Sequence, residues 1–391
     1  MGRKKKEIKS EESKKDIAEE NLTSFDLVSA ELEKMHGKGI FAKEKNEYNW
    51  LKTGSLTLDA ALDPASRGLR SAISISFSSE PKVGKSRTLM YLAGKAQRDN
   101  FVDFVLYCDV ECRNSLETCK TLGIDTSPQK FKMYQMSTAE EYIDMIDRYL
   151  STGKRLFIIL DSMDALQSGK IKSLGWLDEK DMKSRNTAGL RRAGLVTEFI
   201  NATNSKVRKT NSVFAYTQQL RTKMGPSFSY RQESGCSAGF YNVDYHVRLS
   251  LEKHSEIVFN SKNENGISVS QTYGRMVNFE FILNAFNAPG IEEKIAILYE
   301  RGLWEEYDLA NLGVKFGFIA QEKKKTKDDE DIGGKVTYKS DAGKEIEKKN
   351  VQSFAAFLTN RDKLPEITEI KKELRKKVID ALEQKRLIKA F

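Results

Sequence analysis

Ile73-Ser74-Ile75-Ser76-Phe77-Ser78-Ser79-Glu80-Pro81-Lys82-Val83-Gly84-Lys85-Ser86 is the stretch whose reading decides the fold. Ile73, Ile75 and Phe77 alternate with serines as a strand does, and Leu89-Met90-Tyr91-Leu92-Ala93 beyond the loop continues as a helix. A strand, a phosphate-sized loop and a helix bring backbone N–H groups and the positive end of the helix to one point. An anion is held there without a cage of side chains. The loop residues Ser79, Glu80, Pro81, Lys82, Val83 and Gly84, with Arg87 just inside the helix, then frame a phosphate chain. Lys85 reaches its outer phosphates and Ser86 offers a hydroxyl to the Mg2+ that bridges them. The pattern G-x-x-x-x-G-K-[ST] is met at each fixed place except the first, where Ser79 stands for glycine. A side chain at that place is expected to resist a positive φ and so weaken the loop. Taken alone, the octapeptide also suits an ordinary lysine-bearing loop before a surface helix.

Three further short apolar runs, at 104–108, 156–160 and 213–216, are each reached through a helical stretch and each end in polar residues. Runs of this kind read as parallel strands buried on both faces, with any ligand beyond their carboxyl ends. Those ends carry Asp109-Val110-Glu111, Asp161-Ser162 and Thr217-Gln218-Gln219. Asp161 is the expected carboxylate for Mg2+, acting through water, and Glu111 the expected base for an attacking water. Gln219 is positioned to sense the terminal phosphate. For Asp109 a helix-capping role and a catalytic one are equally open.

At 391 residues the chain has room for two or three domains. Charged residues make up 31% and the net charge is +9, which suits a polyanionic partner or merely a solvated lysine-rich surface. Cys108, Cys112, Cys119 and Cys236 lack the paired spacing of a structural zinc site, and there are only three histidines. They read as reduced thiols. No apolar run nears the ~20 residues of a membrane span, and the lysines near the start precede no signal-peptide core, so a cytoplasmic protein without a membrane partner is expected.

Residues 1–20 alternate clusters of Lys and Glu and read as a mobile arm. Leu27, Val28, Ala30, Leu32 and Met35 then form one apolar helical stripe. Residues 168–192 and 220–240 read as polar loops where basic groups lie beside aromatic ones, the pairing a single-stranded nucleic acid needs for its phosphates and base faces. Beyond Pro289-Gly290 a separate module is expected: a helix over 291–303, a mobile charged insertion over 322–334, a hairpin over 335–347, and helices over 351–358 and 368–385.

These stretches together resemble the RecA recombinases in their bacterial and phage branches. The resemblance runs from about Met35 to Leu382. His36-Gly37-Lys38-Gly39 and Gly54-Ser55-Leu56-Thr57-Leu58-Asp59 lead into the core. Leu106-Tyr107-Cys108-Asp109-Val110-Glu111 is similar to the strand bearing the family's catalytic base, with Leu122-Gly123-Ile124-Asp125 at the family's interval. Asp161-Ser162-Met163-Asp164-Ala165-Leu166 resembles the second nucleotide strand. Gln219-Leu220-Arg221-Thr222-Lys223-Met224-Gly225 joins the phosphate-sensing glutamine to the second DNA-binding loop.

The resemblance implies an α/β fold: a RecA-type P-loop core with a mostly parallel central sheet, an N-terminal helical arm and a small α+β C-terminal domain. It divides the chain into a basic arm with an oligomerisation helix (1–44), an ATPase core (45–288) and the C-terminal domain (289–391). It further implies a DNA-dependent ATPase that binds ATP and Mg2+, forms a helical homo-oligomeric filament on single-stranded DNA and pairs it with homologous double-stranded DNA. Lys85, Glu111 and Gln219 would be catalytic. Arg191, Arg192, Arg221, Lys223, Phe228, Tyr230 and Arg231 would bind DNA, with Phe228 inserting between bases. Departures also exist. Thr118 stands where the bacterial branch has an adenine-stacking aromatic, and the cross-subunit lysine pair is missing around 277–281, where Arg275 is a weak substitute. From 361 to 391 ten Lys and Arg face six Asp and Glu, so no acidic tail is implied. A ring-forming RecA-like motor and a nucleotide-gated DNA-binding scaffold with little hydrolysis are the alternatives.

Overall fold

The computed structural model describes residues 24–36, 48–167, 188–224, 229–233, 242–262, 268–325, 331–360 and 364–389. The chain divides into two units, 1–47 and 48–391. In the first, the apolar stripe forms helix α1 (Ser24–His36), as its spacing predicts. The second unit opens with β1 (Trp50–Leu51), α2 (Leu56–Leu62) and β2 (Leu69–Arg70). There follow β3 (Ile73–Ser79), α3 (Lys85–Arg98), β4 (Phe104–Asp109), α4 (Leu116–Thr121), β5 (Phe131–Tyr134), α5 (Ala139–Ser151) and β6 (Leu156–Asp161). Next come α6 (Ala188–Lys209), β7 (Val213–Met224), β8 (Ser229–Glu233), β9 (Tyr245–Ser250), β10 (Glu256–Lys262) and β11 (Ser268–Asn284).

Among the described residues β3 to β11, with β12 (Ile291–Leu298) and β13 (Gly302–Leu303), build an 11-stranded sheet whose main path runs β13-β12-β11-β9-β3-β7-β6-β4-β5. Strands β9, β3, β7, β6, β4 and β5 are mutually parallel, and the β11 edge is antiparallel. The apolar runs are continuous because both faces are covered. Tyr107, Phe157, Ile159, Val213 and Ala215 join α3 in one apolar cluster, and Leu106, Cys108, Ile158, Leu160, Phe214 and Tyr216 join α5 and α6 in another. Strand β3 alternates for a different reason. Its serine face is equally buried but polar: the Ser74 amide donates to Asp244, and the hydroxyls of Ser76 and Ser78 pair with the two ring nitrogens of His246.

Two expectations fail beyond Pro289. The 291–303 segment is strand, β12 (Ile291–Leu298) and β13 (Gly302–Leu303), and it completes the antiparallel side of the sheet. Its acids and lysines favour a helix locally. Pairing along β11 and burial of Ile295, Ala296, Ile297 and Leu298 override that preference. Likewise the charged 322–334 insertion is mostly ladder. Strands β14 (Ile319–Lys325) and β15 (Asp331–Lys339) pair through it, and β16 (Glu345–Lys348) closes the expected hairpin, with 326–330 outside the described residues. Helices α7 (Glu305–Lys315), α8 (Val351–Thr359) and α9 (Leu364–Lys389) cover this small sheet.

The cluster beneath them is shared with the large sheet: Leu56, Ile257, Ala296 and Leu298 pack in it with Trp304, Phe354, Leu374 and Val378. A buried carboxylate adds a polar tie. Asp308 of α7 accepts from the Ser55 hydroxyl and the Thr57 amide, both at 3.1 Å, and so closes the N-terminus of α2 from 251 residues away. Among the described residues no helix is long and apolar enough to cross a membrane.

Candidate active site

The phosphate loop forms where its pattern puts it, but the backbone demand falls elsewhere than expected. Ser79 is extended and ends β3 in register with Gln219, whereas the positive φ angles belong to Lys82 (64°) and Gly84 (126°). A glycine is required at 84 by conformation rather than space, since an added Cβ would meet nothing nearer than 3.5 Å. Ser79 therefore costs the loop no strain, and its hydroxyl has a use. The Lys85 ammonium donates to the Ser79 hydroxyl at 2.8 Å, the Ser79 carbonyl at 3.1 Å and the Glu80 carbonyl at 3.2 Å. Lys85 is buried at the first turn of α3, which lowers its pKa. The negative charges of Asp161, Glu111 and Asp164 oppose that shift.

Parallel pairing aligns the four strand ends. Asp109 of β4 lies opposite Asp161 of β6, and the amides of Val110 and Glu111 donate to the Asp161 carbonyl at 2.8 and 3.3 Å. This carries Glu111 past the sheet edge. There its Oε1 accepts from Ser162 Oγ at 2.7 Å and from Gln219 Nε2 at 3.1 Å, and its Oε2 pairs with the Arg113 guanidinium at 2.8 Å. The Gln219 amide in turn donates to Asp164. The proposed base and the proposed phosphate sensor thus touch. Asp161 is fixed by two hydroxyls, Tyr107 at 2.8 Å and Thr217 at 2.6 Å, and burial among these acids pushes the Tyr107 phenol pKa well up. Asp161 Oδ2 also accepts from the Asn114 amide at 3.4 Å, and Oδ1 keeps a lone pair with which the carboxylate can still take water from a hydrated cation.

Ser86 and Asp161 are hard oxygen donors, the type Mg2+ uses when waters and phosphates supply its other ligands. Asp109 resolves toward structure: it accepts from the amides of Arg113 and Asn114 at 3.3 and 3.1 Å and from Gln135 at 3.0 Å, shaping the turn that delivers Glu111. Arg87 leaves the loop. Its guanidinium donates to the Tyr299 carbonyl and stands 5.8 Å from that ring. Arg275 donates to the Tyr299 hydroxyl at 3.0 Å, and the Thr118 amide donates to the Ser115 hydroxyl that caps α4.

The expected second loop is partly regular. Strand β7 continues through Arg221 and Lys223 to Met224 and pairs antiparallel with β8, with Lys223 opposite Tyr230 and Thr222 opposite Arg231. Extension of the Gln219 strand outcompetes the polar composition that reads as loop. Phe228 lies outside the described residues, as do 168–187, 37–39 and Cys236. Arg191 and Arg192 fall on the backbone of α6. Sequence reading quoted Tyr107, Ser162, Asp164 and Thr217 but gave none of them a role. Thr217 follows the apolar run of β7 directly, and Tyr107 lies two residues before Asp109 on β4, so strand register could have flagged both.

A phosphate loop, acids at the ends of neighbouring parallel strands and a glutamine one strand over define a nucleotide-site α/β protein of the phosphate-loop class. The chain belongs to the RecA family: the model of the RecA N-terminal domain matches residues 24–304. It is 24% identical over 313 residues to protein RecA of Anaplasma marginale (strain Florida), covering 78% of this chain and 80% of that protein. It is also 24% identical over 358 residues to protein RecA of Mycobacterium sp. (strain KMS), covering 88% and 96%.

Proposed function

We propose that this chain is an ATP-dependent DNA recombinase that assembles as a helical filament on single-stranded DNA and exchanges strands with a homologous duplex. The observation that carries this reading is the Gln219–Glu111 contact, because Gln219 sits on the same strand that runs on into Arg221, Lys223 and the β8 ladder. A terminal phosphate beside Lys85 would compete for the Gln219 amide group and shift β7 along with it. Nucleotide state and DNA grip are then two ends of one element. Bound Mg2+, held by Ser86 and through water by Asp161, would offset phosphate charge. Lys85 would leave the Ser79 and Glu80 oxygens for the outer phosphates, and Glu111 would orient and deprotonate the attacking water.

In this reading residues 1–44 supply the oligomerisation arm, and the module after the core takes part in capturing duplex DNA; its own elements start after β13. A scaffold that hydrolyses little is the second reading, favoured by one feature: Arg113 and Ser162 occupy both oxygens of Glu111 and restrain it as a base.

Phe228→Ala discriminates between a recombinase and a generic motor. A motor tracking the backbone needs only charges, whereas strand exchange needs bases held apart by stacking, at about 1–3 kcal/mol per contact. The variant is expected to keep DNA-independent ATP hydrolysis, bind single strands more weakly and form no joint molecules. Arg221→Ala should weaken binding most at low salt and flatten its salt dependence. Joint-molecule formation by Phe228→Ala at the parent's level would sink the recombinase reading.

A further inference from the structure

The proposed base has a charged companion two residues along the chain. Asp109, buried at the end of β4, accepts the Cys112 amide on its carbonyl at 3.3 Å and the Arg113 and Asn114 amides on its carboxylate at 3.3 and 3.1 Å. The Asn114 side chain fastens the same turn to the Asp109 and Asp161 carboxylates, at 3.3 and 3.4 Å. Within this turn Cys112 takes the left-handed backbone, at φ 52°, and residue 113 comes back over residue 111. The Arg113 guanidinium then meets Glu111 Oε2 at 2.8 Å. Two buried acids thus hold the backbone of the turn in place. The Arg113 side chain is what can swing.

The pair is lopsided in exposure. The Arg113 side chain is 74% exposed and that of Glu111 only 17%, so the guanidinium covers the carboxylate from the solvent side. A contact of this kind is weak, because water and salt compete with it. Its position matters more than its strength. Oε1 already accepts from Ser162 and Gln219, two donors for its two lone pairs. A proton taken from water therefore has to go to Oε2, the oxygen on which Arg113 stands. While the guanidinium stays, it takes one lone pair of that oxygen and sets a positive charge beside the arriving proton. A partner that merely orients the base belongs on the other oxygen, where Ser162 and Gln219 already are.

We infer that Arg113 is a brake on hydrolysis: a positioning residue that acts through Glu111, holding the reacting oxygen of the base and slowing turnover until the guanidinium swings away. The inference rests on the hydrolytic reading proposed above. In the step that it restrains, the oxygen of the attacking water bonds to the terminal phosphorus, the bond from that phosphorus to the ADP oxygen breaks with its electron pair leaving on ADP, and the proton of the water passes to Oε2. Asp109 then serves the brake rather than the chemistry, by fixing the turn that aims Arg113.

The test measures ATP turnover by the full chain without DNA, over a range of ATP and salt concentrations. Arg113→Ala should raise kcat about two- to fivefold, the factor that an exposed ion pair is worth, with the KM for ATP unchanged. Arg113→Lys should return turnover toward the parent's level, since an ammonium can hold the same oxygen. Rising salt should speed the parent at saturating ATP and leave Arg113→Ala nearly flat. With Glu111→Gln already in place, Arg113→Ala should gain nothing, because a brake that works through the base has nothing left to hold. Turnover of Arg113→Ala at or below the parent's level, with Glu111→Gln still slow, overturns the inference. An equal gain on top of Glu111→Gln overturns it too, since Arg113 would then act elsewhere. Failure of the hydrolytic reading looks different: Glu111→Gln then turns over as fast as the parent, and the brake falls with the base.

Discussion

Two groups of acids in this protein, buried except for the half-buried Glu111, differ in company. At the strand ends Asp161, Glu111 and Asp164 surround the Lys85 ammonium, and their remaining partners are side-chain hydroxyls, amides and Arg113. At the junction of α2 and α7, Asp308 and Asp59 form no ion pair among the described residues; they accept from Ser55, Thr57 and Thr53, and the charge of Lys52 acts on Asp59 without a salt bridge. The first group shares one cation, and in the proposed function a phosphate would take that cation's partners in exchange. The second caps backbone and stays put. A buried carboxylate therefore points to chemistry here only when it faces a mobile counter-charge.

The largest effect that would sharpen this contrast is expected from Lys85→Ala. Truncating a buried, hydrogen-bonded cation that faces two phosphates should cost about 2–5 kcal/mol of nucleotide affinity and with it ATP-dependent DNA binding. Thermal stability should change little, because the ammonium is desolvated in the folded protein; calorimetric titration with ATP and a melting curve measure both. Tight ATP binding by this variant would place the site elsewhere.

Glu111→Gln comes next. It keeps the shape and the contacts to Ser162 and Gln219 while removing the base, so steady-state turnover should fall roughly a hundredfold or more with ATP affinity retained. Unchanged turnover would move the base to another group and erase the distinction drawn between the two clusters.

The smallest effect is a pH dependence, and it belongs to the second cluster. Burial holds the Asp59 carboxyl at about 6, above its ordinary 3.8, against the hydrogen bonds from Thr53 and the charge of Lys52; Asp308 adds to the rise. Between about pH 4 and 6 the folded protein keeps a proton that the unfolded chain has released. The stabilisation from Asp59 is therefore full below about pH 4 and lost as pH rises through about 6, by roughly 3 kcal/mol in all. Asp59→Asn keeps the oxygen that Thr53 bonds and should flatten that part of the stability profile in denaturant titrations, leaving turnover unaltered. A turnover defect as large as that of Glu111→Gln would break the comparison from the other side.

Strands β4, β6 and β7 were legible because burial on both faces writes itself into composition, β3 because its apolar residues alternate, and Lys85, Glu111, Asp161 and Gln219 could be read as one group because parallel register delivers strand ends to one place. Where reading failed, the deciding partner lay outside the segment being read. Nothing near Asp308 announces Ser55, and nothing in Ile291-Glu292-Glu293-Lys294-Ile295 announces the neighbouring β11 that makes it a strand. The Ser79 departure was overweighted for a local reason: the motif's first place does not require a left-handed backbone here, and Gly84 does. The charges of 319–325 and 331–339 read as solvation, yet Ile319, Val336 and Tyr338 are enough to bury one side of that ladder.

The apolar cluster shared between the large sheet and the last helices has a consequence for how the protein is made. Leu56, Ile257, Ala296 and Leu298 leave the ribosome before Phe354, Leu374 and Val378, which share their cluster, have been synthesised. Until then this flank of the nascent sheet is uncovered and prone to stick to other chains. This flank of the large sheet is covered only once Leu374 and Val378 have been made, so a chain stopped short of them is a client for chaperones.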